Sequence, residues 1–151
     1  MAVYKIFPDK DATLYSEYVD MNTGRDEILE VASYYKGTLK YVNRSVIAFD
    51  SVEVANVLES YVSSSDRVVT DFSASLKLML ASANELPTRY TLEAYPVYAG
   101  GVGTWTVGNG KYGDVPRNSS GVSWNYVDAS GSQNWGVSTY VTASYSGSSI
   151  G

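Results

Sequence analysis

The chain has 151 residues, 44% hydrophobic and 18% charged, with a formal charge of −5, 14 Tyr, no Cys and no His. That length suits one domain with a sizeable core. The missing Cys exclude a disulfide framework and thiolate chemistry, and the missing His removes the commonest general base. The 11 basic residues form no run, which sets aside an electrostatic reader of nucleic acid, and no stretch reaches the ~20 apolar residues of a membrane helix.

Residues 2–8 (AVYKIFP) alternate and predict a short strand. The opening MAVYKIFPDK has no apolar h-region and so predicts no secretory signal; a soluble chain made in the cytoplasm is expected. An acidic loop follows at Asp9-Lys10-Asp11, then Ala12-Thr13-Leu14-Tyr15, and Asn22-Thr23-Gly24 is a turn signal. Residues 27–33 (EILEVAS) read as a second strand, Lys36-Gly37 as a turn, and residues 45–50 (SVIAFD) as a compact strand ending in an acid. Asp50 precedes Glu53 by the spacing of a capping box. Beyond it Val54, Val57, Leu58, Tyr61 and Val62 recur at helical intervals, which predicts a helix over 52–61 that caps an open end of the sheet.

The clearest pattern is residues 72–81 (FSASLKLMLA). Phe72, Ala74, Leu76, Leu78 and Leu80 fall on one face and more polar residues on the other, which predicts a central strand with one buried side. Asn84-Glu85-Leu86-Pro87 makes a turn, and residues 88–98 (TRYTLEAYPVY) alternate again, so a hairpin is expected, with Pro96 near an edge or strand end. From Ala99 the texture changes to Gly, Ser and Asn, with turn signals at Gly100-Gly101, Gly108-Asn109-Gly110 and Gly113-Asp114. Large rings appear there singly: Trp105, Tyr112, Trp124, Tyr126 and Trp135. Residues 137–145 alternate once more as a last strand, and 146–151 (SGSSIG) are linker-like. The abundance of Tyr suits strands and a broad aromatic surface.

The fold class expected is therefore mainly all-β, an antiparallel β-sandwich with one short helix. Its core is expected to include Ile47, Phe49, Val57, Phe72, Leu76, Leu78, Leu80 and Leu92. Residues 1–98 form that core, 99–145 the long loops and closing strand of the same module, and 146–151 a tail.

Several stretches resemble the DNRLRE module, a β-sandwich of the jelly-roll kind. They are Asp11-Ala12-Thr13, Asn22-Thr23-Gly24, the short strand Ile28–Val31, the strand 45–50 ending Phe49-Asp50, the strands Ala74–Leu80 and Leu92–Tyr98, and Gly121-Val122-Ser123-Trp124 with Trp135 downstream. The likeness spans about the first 135 residues, and the order of the motifs carries it. The wording MAVYKIFPDKDATLYSEY and the Tyr-rich end are similar to virion structural proteins of contractile-tailed cyanobacterial phages that carry this module near their start. The resemblance implies a non-enzymatic virion protein of tail, collar or capsid, held by contacts with other virion proteins and copies of itself. Such modules continue with another Trp-bearing stretch and closing strands, so the resemblance implies either that the closing strands are missing or that the polypeptide is one part of a longer protein. Residues beyond Tyr98 are expected to carry more of the contacts than residues 2–50.

Three chemistries compete with that reading. Paired carboxylates could serve a glycoside hydrolase, but Asp9, Asp11, Glu17, Asp26, Glu27 and Glu30 show no spacing that defines a pair, so solvated loop acids are expected and no enzyme. Asp9, Asp11 and Asp26 could converge on calcium, a hard cation that takes several oxygen ligands from a loop, although the spacing is not that of an EF-hand; no other cofactor is indicated. A jelly-roll module could instead bind host polysaccharide by stacking on Trp105, Tyr112, Trp124, Tyr126 or Trp135. Trp124 and Trp135 read rather as anchors, since the resembling module has Trp there, and Trp105 suits either role. Asn43-Arg44-Ser45 and Asn118-Ser119-Ser120 match the glycosylation pattern and, without a secretory signal, read as coincidental.

Overall fold

The computed structural model describes residues 3–61, 73–83, 91–95, 97, 105–114, 120–128 and 133–135. Over these residues the chain is mainly β, with one antiparallel three-stranded sheet, a small two-stranded ribbon and one short helix. The strands are β1 (Pro8–Tyr15), β2 (Ala32–Lys36), β3 (Leu39–Phe49), β4 (Tyr126–Asp128) and β5 (Gln133–Asn134); the helix α1 is Ser51–Tyr61. The sheet order is β1-β3-β2, so β3 is central.

The β2–β3 hairpin turns through Gly37 and Thr38, because Lys36 pairs with Leu39. Gly37 has φ 65°, the positive value that a two-residue hairpin needs for its twist to match the strands. β1 then lies antiparallel along the other edge of β3, with Ala12 opposite Val46 and Leu14 opposite Arg44, after a register shift between Pro8 and Lys10. One side of this pair carries Ala12, Leu14, Val46 and Ala48. They pack with Trp105, Val107, Val122, Trp124, Val127 and Trp135, and Ala12 and Val122 are fully enclosed. The core is thus shared between the first sheet and the Gly/Ser/Asn-rich region, whose described parts are pinned by large apolar side chains. Arg44, on the same sheet face, lays its guanidinium over the Trp124 ring at 5.1 Å, a cation–π contact at the rim of that core.

The other side of β1 is buried as well, at Thr13 and Tyr15, and the loop between β1 and β2 is anchored there by side-chain bonds. α1 begins as its sequence requires: Asp50 Oδ1 accepts from the Val52 amide at 2.8 Å, and the Asp50 carbonyl accepts from Val54. The stripe Val54, Val57 and Leu58 is half-buried, and the other residues of 51–60 are exposed.

Several expected elements fall elsewhere. Residues 3–7 form no ladder, and the first strand starts at Pro8, running through the supposed acidic loop. The second strand begins at Ala32 rather than Glu27, and the compact strand is the end of a longer β3. Residues 73–83 lie outside every described sheet, and the central strand among the described residues is β3. Leu76, Leu78, Leu80 and Leu92 are exposed, Phe49 is exposed at 38%, and Ile47 and Val57 are only half-buried, so the expected core is corrected at these positions. Alternation reports which side chains share a face; it does not supply the neighbour whose main chain completes the ladder. Phe72, the turn at 84–87 and the closing strand at 137–145 lie outside the described residues. No described helix is long and apolar enough to cross a membrane.

Candidate functional site

Two side chains of the β1–β2 loop hold this end of the molecule together. The Thr23 hydroxyl accepts from the Thr13 amide at 3.0 Å and donates to the Thr13 carbonyl at 2.7 Å. One hydroxyl therefore satisfies both main-chain groups of Thr13 on the edge of β1 that faces away from β3, a place where a further strand would otherwise pair. Asn22, 1% exposed, uses its whole carboxamide. Its Nδ2 donates to the carbonyls of Val107 and Val122, both at 2.8 Å. Its Oδ1 accepts from the amides of Gly110 at 2.7 Å and Gly24 at 3.3 Å. That exhausts an amide's two donors and two lone pairs. Side chains at Gly108 and Gly121 would run into this carboxamide, which is why the loops around it carry no Cβ there.

Beside this clasp lies a cluster of tyrosines and carboxylates. Tyr15 and Tyr112 have ring centroids 5.2 Å apart, and Tyr18 meets Tyr112 edge-on at 6.3 Å. The Tyr15 hydroxyl donates to Glu30 at 2.7 Å, and the Tyr34 hydroxyl donates to Glu17 at 2.7 Å. Lys36 Nζ donates to the other oxygen of Glu17, and Lys111 Nζ to Glu27, both at 2.6 Å. The Asp26 carboxylate accepts from the Tyr112 amide at 3.0 Å. Burial, then the Glu30 hydrogen bond, holds the Tyr15 phenol above its ordinary range, and burial with Glu17 does the same to Tyr34. Lys36 and then Tyr34 lower the Glu17 carboxyl, and Lys111 lowers Glu27. Both acids therefore stay ionised at neutral pH and hold no proton to donate. Tyr112, 54% exposed, is the ring this cluster offers outward.

The structure separates the five stacking candidates. Trp105 is 7% exposed and belongs to the core, so it presents no face to a ligand. Trp124 and Trp135 are half-buried against that core, and Trp135 Nε1 donates to the Ser123 carbonyl at 2.8 Å. Tyr126 is half-buried in β4, and Tyr112 is open. Asp9, Asp11 and Asp26 are not brought together; among the described residues no group of three or more His, Cys, Asp or Glu could hold a metal ion. Asn43 of the first glycosylation match is 2% exposed on the central strand and out of reach of any sugar transfer. Asn22 and Thr23 were legible only as a turn signal: Asn-x-Gly marks a bend, and nothing in it says that a partner waits some 85 residues further on.

No family model, curated protein or solved structure matches the chain.

Proposed function

We propose that the chain is a non-enzymatic structural module of a phage virion, a β-sandwich of the jelly-roll kind, that works through contacts with other virion proteins and with copies of itself. The observation that carries this reading is the apolar surface left uncovered among residues 73–83, 91–95 and 97. Leu76, Leu78, Met79, Leu80, Leu92, Tyr95 and Val97 are all exposed, Met79 at 97%. Exposed apolar surface of this extent on a folded chain marks a place where something else binds. The low share of charged residues makes such a surface cheap to desolvate, and an alternating extended segment is the substrate of strand addition. The opening MAVYKIFPDKDATLYSEY and the Tyr-rich end, which are similar to such virion proteins, supply the phage context. The test is the position of the chain in an intact particle, together with the oligomeric state of the purified chain. Contacts through 73–97 and concentration-dependent association support the proposal; a monomer at high concentration, with that segment facing solvent in the particle, overturns it.

A second reading, a module that binds host polysaccharide, is favoured by Tyr112, whose open ring stands among the hydroxyl and carboxylate groups of Tyr18, Asp26 and Glu30. Saturable binding on a glycan array, lost in Tyr112→Ala with the fold intact, decides for it. Absence of any binding decides for the scaffold.

A further inference from the structure

The chain contains one Asn-Gly dipeptide, Asn109-Gly110. Asn-Gly is the pair most prone to self-modification, because no side chain on the second residue hinders its nitrogen. That nitrogen loses its proton to solvent base and attacks Asn109 Cγ. The N–Cγ bond forms, ammonia leaves, and a five-membered imide results. Water then opens the imide at either carbonyl, leaving aspartate or an isoaspartyl linkage. The exchange is hydrolytic; nothing is oxidised or reduced.

In the folded chain the two halves of this pair are treated differently. Asn109 is exposed, and its Oδ1 accepts from Ser120 Oγ at 3.0 Å, a bond that polarises Cγ. Gly110 is buried. Its amide donates to Asn22 Oδ1 at 2.7 Å and its carbonyl accepts from the Arg25 amide at 3.0 Å. A buried amide held in a hydrogen bond is hard to deprotonate and is not free to turn toward Cγ. We propose that Asn109-Gly110 is a latent deamidation site, blocked by the Asn22 clasp in the folded chain and released when the clasp opens. The isoaspartyl product inserts a methylene into the main chain beside Gly110, which moves that amide off Asn22. A chain that has opened is therefore marked and does not reclose in the same way.

The experiment incubates the full chain, folded and urea-unfolded, in the same mildly alkaline buffer. Peptide mapping then follows the mass gain of a carboxamide turned carboxylate at Asn109. The unfolded chain accumulates product, and the folded chain does so at least about tenfold more slowly, since a protected amide reacts only from the opened state. Equal rates overturn the proposal. Asn22→Leu, compared with Thr23→Val at matched stability, assigns the protection: faster modification in Asn22→Leu, which has no oxygen to accept from the Gly110 amide, supports the clasp, and equal rates in the two variants overturn its role. Should Asn22→Leu fail to fold, hydrogen exchange of the Gly110 amide in the unaltered chain decides. Slow exchange supports the block and fast exchange overturns it.

Discussion

Thr23 shows how much a single hydroxyl does here. It closes both main-chain groups of Thr13 in a buried site. Thr23→Val keeps the shape and removes both bonds, so it should cost on the order of 3 kcal/mol, the penalty for two buried groups losing their partner; urea unfolding measures it. Trp105→Ala should cost about 3–5 kcal/mol, because the ring is a core element and truncation leaves a cavity. It therefore cannot serve as a surface variant that tests ligand stacking. Tyr15 adds a pH dependence. Its folded phenol titrates above the ordinary value of 10.0, so the folded state holds that proton more tightly than the unfolded chain. The stability it contributes is fully present below pH 10.0 and is lost as pH rises through the raised value. Tyr15→Phe should flatten the alkaline loss of stability, and in the unaltered chain part of the tyrosinate absorbance should appear only with unfolding.

At the scale of elements, local chemistry was legible where a short run of residues decides the outcome. The Asp50 cap and the Val54, Val57, Leu58 stripe locate α1 to within a residue of its start, since capping and helical period are both local. Asp50→Ala should cost about 1 kcal/mol, seen as loss of helical signal, because it removes the bond to the Val52 amide in the first turn. The turn at Lys36-Gly37 was legible for the same reason. Gly37→Ala should cost roughly 1–2 kcal/mol for a side chain at positive φ, although the site has open space around it. Strand boundaries were not legible. Asp9, Lys10 and Asp11 read as loop, yet they lie in β1, where a register shift absorbs the irregular start and β3 supplies the ladder. Residues 73–83 carry the cleaner alternation and lie in no described sheet. Pairing is a relation between two segments, and neither propensity nor period names the second one.

For the whole molecule, the exposed apolar run should govern association more than stability. Leu78→Glu should leave the unfolding midpoint nearly unchanged, within about 0.5 kcal/mol as for other exposed positions, while reducing self-association measured by sedimentation. A large loss of stability instead would mean that Leu78 is a core residue. What the amino-acid order determined by itself was local or compositional: a mainly β chain, one capped helix, the β2–β3 turn, and the absence of thiol and imidazole chemistry. What only the tertiary structure decided was the joining of distant segments. Trp105, Val122 and Val127 roof Ala12, Leu14 and Val46. Asn22 binds Val107, Gly110 and Val122, and Tyr112 settles between Tyr15 and Tyr18. The physical reason is the cost of burying polar groups. An asparagine and a threonine written as a turn become the centre of the fold once the main-chain groups of remote loops, deprived of water, must find donors and acceptors, and only the folded chain brings them within 3 Å.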